Sequence, residues 1–128
     1  VVLPLLESDA YDVFYGIATG ANSQSPIANS PLQWRNEATI GVVLASKGYP
    51  GSYAKGAVIE GTEQFDGPIF HMGTKNDNGV LKTNGGRVMM CIATGKDIAT
   101  AREKVYKEIE KIHCDNLFYR KDIAHWAL

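Results

Sequence analysis

The chain has 128 residues, 45% of them hydrophobic and 21% charged, with a formal net charge of −1, the size and composition of one ordinary globular domain. No stretch approaches the roughly 18 uninterrupted apolar residues of a membrane span, and near-neutrality provides no global field to collect nucleic acid or an anionic membrane. Neither a membrane nor a nucleic acid is therefore expected as a partner, and any anion site has to be local.

The opening segment VVLPLLESD lacks an initiator Met and a basic leader, and its apolar run, broken by Pro4, is too short for a signal peptide. It reads as chain arriving from a preceding domain. From Leu5 to Thr19, Leu6, Ala10, Val13, Phe14 and Ile17 recur at three and four residues, with Ser8 and Asp9 available as caps and Gly20 as a stop; the spacing predicts an amphipathic helix. GANSQSPIANSP, 20–31, is rich in Asn, Ser and Pro without periodicity and is expected to be a loop marking a domain boundary. The division is thus 1–31 and 32–128.

A short strand is expected around Leu32 to Trp34. EATIGVVLAS, 37–46, is β-branched and apolar at nearly every position, the pattern of a central strand covered on both faces. KGYPGSYAKG then reads as a loop in unusual backbone conformations. AVIEG, PIFHMGT and VLKTN are expected strands, the last two joined through KNDNG with its Asn78-Gly79 hairpin signal. GRVMMCIATG is a further buried strand. KDIATAREKVYKEIEKIH predicts a helix that is capped by Asp97, buries Ile98, Ala101, Val105, Ile109 and Ile112, and allows Glu103 to pair with Lys107. Consecutive strands followed by one helix imply an α+β fold, a mainly antiparallel sheet with the C-terminal helix on one face.

Cys91 and Cys114 lie far apart without a CxxC partner. Two reduced, partly buried thiols are expected, a single disulfide being the alternative. His71, His113 and His125 form no metal motif; no metal site is predicted, and His71 is expected to be a hydrogen-bonded sheet residue. No GxSxG elbow is present. Four stretches remain as places for chemistry: KGYPG, FHMGT, TNGGRV and the tail YRKDIAHWAL. Glycine pairs in β-rich chains usually make bulges and turns. A functional reading has the Asn84, Gly85 and Gly86 segment bring backbone amides to an anion, with Arg87 beside it. Tyr119 and Trp126 suggest a docked tail holding Arg120 and Lys121 in place; the plainer reading pairs Arg120 with Asp122 at the surface.

VVLASKGYPGSYAKG, IFHMGT, KTNGGRVM, AREKVYKEIEKI and FYRKDIA, in this order, resemble the C-terminal portion of glycinamide ribonucleotide synthetases. The resemblance covers essentially the whole chain. It implies an ATP-grasp ligase of purine biosynthesis that joins glycine to 5-phosphoribosylamine as ATP becomes ADP and phosphate, with glycyl phosphate as intermediate. ATP and magnesium (or manganese) are the cofactors implied for the full-length enzyme, none being expected on this chain. The family's magnesium-binding strand, of the type E-x-N-x-R-x-G-D-P-E, does not occur in the 128 residues. The first helix is then a remnant of the ATP-grasp domain, the amino-terminal and ATP-grasp domains are the implied partners, and the cytoplasm is the implied location. Arg120, Lys121, Arg87, Gly85, Gly86 and Asn84 are the implied binders of phosphoribosylamine. The family usually carries Gly where this chain has Ala124 and often a basic residue where it has Trp126. An alternative of a different class is a free-standing noncatalytic domain that binds a phosphorylated metabolite or mediates assembly.

Overall fold

Two long apolar segments pair and organise the rest. In the computed structural model, which describes residues 1–19 and 32–128, β1 (Ala38–Ser46) lies antiparallel to β5 (Arg87–Gly95). β2 (Ile69–His71) pairs with the outer side of β5, and β6 (Leu117–Phe118) with the end of β1, giving the order β2-β5-β1-β6. β3 (Thr74–Asp77) and β4 (Val80–Thr83) form a separate hairpin. Asn78 and Gly79 turn it with φ of 53° and 86°, the paired left-handed geometry that suits a two-residue hairpin turn. The architecture is α+β, as expected.

The register explains the core. Ile40, Val42 and Leu44 stand opposite Ala93, Cys91 and Met89, so these six side chains share one face of the sheet. Helix α2 (Ile98–Ile109) covers that face with Ala101, Val105 and Ile109, all buried in the same cluster. Asp97 caps α2 by accepting a hydrogen bond from the Thr100 amide at 2.7 Å; the Thr100 hydroxyl and amide together hold its carboxyl below the usual range. Cys91 and Cys114 are free thiols; burial pushes the Cys91 thiol up to about 12, so it packs as an inert small hydrophobe.

Several expectations change. AVIEG is no strand: Val58 and Glu60 make single bridges to Lys82 and His113. PIFHMGT is split between β2 and β3, because Gly73 passes the Gly85 backbone where a methyl would stand 2.8 Å from Gly85 Cα. Near Trp34 there is one bridge, to Leu6. β1 is fully buried toward α2 but only half-buried at Thr39, Gly41 and Val43 on its other face. The first helix is shorter than expected: a 3-10 turn at Leu3–Leu5 precedes α1 (Ala10–Ala18), capped by Asp9 through the Asp12 amide. The ion pairs of α2 run from Lys104 to Asp66 and from Lys111 to Glu108, and Glu103–Lys107 is not among those formed by the described residues. The expected loop and boundary at 20–31 lie outside the described residues.

Candidate functional site

A bulge positions the site. Leu44 faces Met89 while Ala45 faces Arg87, so Val88 is the extra residue of β5. The bulge keeps Val88 in the core and places Arg87 beside Ala45, on the sheet face away from α2. On its other side Ala45 pairs with Phe118. Arg87, Ala45 and Phe118 therefore form one row across three strands, with the small alanine as floor. Tyr119 and Arg120 follow from β6, and Tyr49 arrives from the loop after β1. With Val43 these residues line a cleft of about 260 Å³. It is an apolar trough, lined in part by the side chains of two arginines.

Arg120, which lines it, is paired with Asp122. Nε donates to Oδ1 at 2.9 Å and Nη2 to Oδ2 at 2.6 Å. The hydrogen-bonded Asp122 carboxylate stabilises the Arg120 cation and is itself held below the usual carboxylate range. The surface pairing considered above is thus present. Both partners are well exposed, and solvent screening keeps such pairs weak enough to exchange for another anion.

The tail is docked, through Tyr119 but not through Trp126. Tyr106 Oη donates to the Arg120 carbonyl at 2.7 Å and accepts from the Ile123 amide at 3.2 Å. Arg102 donates to the carbonyls of Lys121 and Ile123 at 2.7 and 2.9 Å, and Tyr119, Ile123 and Ala124 pack on the core. Trp126, by contrast, is 95% exposed. These backbone bonds send adjacent cations to different places. Arg120 lines the cleft, whereas Lys121 lines a groove of about 460 Å³ beside α2, with Arg102, Tyr106, Tyr119 and Leu128. Although larger, that groove does not contain Arg87 and Arg120 together.

The remaining expected residues do not line the cleft. Ser46 donates through its amide to the Gly86 carbonyl and through Oγ to the Gly85 carbonyl, both at 2.8 Å. The amide of Asn84, an exposed residue, donates to the Gly73 carbonyl at 2.8 Å. None of Asn84, Gly85 and Gly86 is among the residues lining the cleft. Tyr49, Phe118 and Tyr119 escaped the sequence reading as site residues. The aromatic pair preceding Arg120 and the KGYPG stretch are the signals that could have found them. His71 is in β2, its Nδ1 3.0 Å from Thr74 Oγ1.

Residues 39–126 match the family described as phosphoribosylglycinamide synthetase, C domain. This chain belongs to that family. A phosphoribosylamine–glycine ligase from Halalkalibacterium halodurans is 44% identical over 130 residues, covering 100% of this chain and 29% of the relative. A trifunctional purine biosynthetic protein adenosine-3 from Gallus gallus is 37% identical, with 100% of this chain covering 13% of it. The crystal structure of phosphoribosylamine–glycine ligase from Thermotoga maritima superposes with a TM-score of 0.74 at 36% identity, over 88% of this chain and 27% of the other. This chain thus spans less than a third of the length of each of those proteins.

Among its described residues no group of three His, Cys, Asp or Glu side chains could hold a metal ion. No described helix is long and apolar enough to cross a membrane.

Proposed function

We propose that this chain is the carboxy-terminal part of a cytoplasmic phosphoribosylamine–glycine ligase and forms one wall of its phosphoribosylamine site. The reaction joins glycine to 5-phosphoribosylamine through glycyl phosphate while ATP becomes ADP and phosphate. Activation of glycine, with ATP and magnesium, belongs to the preceding domains. The part assigned to this chain is to hold the substrate phosphate, which leaves the amine free to attack the glycyl carbonyl and expel phosphate. Alone, the chain has no ligase activity in this reading.

The observation that carries the substrate assignment is the meeting of Arg87 and Arg120, distant in sequence, in one cleft. A phosphate dianion requires convergent charged donors, and guanidinium is suited to two-point contact with its oxygens. Lys121 contributes at most long-range charge from the neighbouring groove, and Gly85 and Gly86 support the loop that carries Tyr49. In a full-length ligase carrying this domain, Arg120→Ala should raise KM for phosphoribosylamine by about one to two orders of magnitude, the loss expected for one charge-assisted contact. KM values for glycine and ATP should hardly move. An equal effect on all three, or none, would sink the assignment.

A further inference from the structure

The KGYPG stretch has no part in the function above, yet its tyrosine lines the cleft. Gly86 provides the reason. A methyl there would stand 2.7 Å from Tyr49 Cε2 and 3.1 Å from Tyr53 Cε1. Gly86 is not among the positive-φ residues, so its backbone conformation does not demand glycine; the rings do. Tyr49 lies on bare main chain and is braced by Tyr53, with ring centroids 6.3 Å apart and planes at 59°. The Tyr49 amide donates to the Ser46 carbonyl at 3.0 Å, and Ser46 is itself bonded to Gly85 and Gly86. Loop and glycine pair are one unit that fixes the ring.

A ring so fixed and merely structural would be covered. Tyr49 instead remains 38% exposed and shares the cleft with Val43, Ala45 and Phe118 and with the side chains of Arg87 and Arg120. The cleft therefore offers more than an anion site. Bare phosphate would engage the guanidiniums and leave the apolar floor wet. A ligand with a phosphate and an adjoining carbon skeleton would use both, because aromatic faces gain dispersion and desolvation against C–H groups.

We propose that Tyr49 is a substrate-contacting residue, its ring packing against the sugar carbons of a sugar phosphate whose phosphate meets Arg87 and Arg120, and that Gly86 is the positioning residue that seats it. The inference rests on the phosphate reading given above and adds what selects a sugar phosphate over other anions.

The test is an NMR titration of this chain with ribose 5-phosphate and, separately, with inorganic phosphate. Wild type should bind ribose 5-phosphate about five- to tenfold more tightly, a gain typical of one aromatic contact. Tyr49→Ala should abolish that preference without changing inorganic phosphate affinity by more than about twofold. Tyr49→Phe should retain the preference, and Gly86→Ala, by displacing the ring, should lose it. Should an alanine variant fail to fold, the wild type itself decides, since the ring protons of Tyr49 must show nuclear Overhauser contacts to the ribose protons. An unchanged preference in folded Tyr49→Ala, or absence of those contacts, overturns the role of Tyr49 while the phosphate cleft stands. If neither ligand at millimolar concentration shifts the signals of Arg87 and Arg120, the cleft reading falls and takes the tyrosine with it.

Discussion

At Ala124 the backbone takes φ 60° and ψ 13°, the left-handed region, where it opens the 3-10 turn His125–Ala127. An alanine there is strained by about 1–2 kcal/mol, because its Cβ crowds the following carbonyl. Glycine removes the strain, although its freer unfolded chain takes back about 0.4–1 kcal/mol. Ala124→Gly should therefore stabilise the domain by about 0.5–1 kcal/mol and raise Tm by a few degrees in thermal unfolding; a lower Tm would contradict the strain. Glu108 presents the opposite case, a buried carboxylate whose partners are all provided. It accepts from Lys111 Nζ at 2.6 Å and from the Asp66 amide at 2.8 Å, and these bonds, the Lys111 one foremost, hold its carboxyl below the ordinary value of 4.5. A lowered folded value means that the stabilisation is complete above pH 4.5 and is lost as pH falls through the folded value. Urea unfolding should accordingly show Glu108→Gln to be less stable than wild type at pH 7, with the gap narrowing toward pH 3. A gap that stayed constant would remove the carboxylate from the acid sensitivity.

The two helices differ as elements although both are amphipathic. α2 buries Ala101, Val105 and Ile109 against β1 and β5, and such tertiary packing, rather than propensity, is what stabilises helices of this length. α1 has nine residues and buries Val13 alone, while Tyr11, Phe14, Tyr15 and Ile17 are exposed and Tyr11 stacks on Tyr15 at 5.6 Å. We read α1 as an element of a preceding ATP-grasp domain, on which its outward rings would pack. Hydrogen exchange of the monomeric chain should show the amides of α1 opening far more readily than those of α2. Equal protection of the two helices would overturn that assignment.

For the whole molecule, the chain covers 29% of one ligase relative and 13% of a trifunctional one, and none of its described residues form a metal-binding cluster. A chain that carries one wall of a substrate site should bind neither magnesium nor nucleotide strongly. Calorimetry with magnesium and ATP should therefore detect no micromolar complex with this chain. Such a complex would show that the nucleotide site has been assigned to the wrong part of the enzyme.

Local chemistry made much of this readable from residue order alone. Hydrophobic periodicity marked β1, β5 and α2, Asn78-Gly79 marked the hairpin, and Asp97 marked the helix start, since each depends on contacts within a few residues or on burial of a whole face. The combination of motifs carried the family. What the sequence could not decide depends on register and close approach between distant segments. A single extra residue, Val88, turns Arg87 out of the core, and a glycine in one loop seats a tyrosine from another. Backbone hydrogen bonds from Arg102 and Tyr106 separate Arg120 from Lys121. Adjacent cations in sequence look like one patch. Only the tertiary structure assigns them to different clefts, because side-chain direction is set by the pairing and docking of the backbone that bears them.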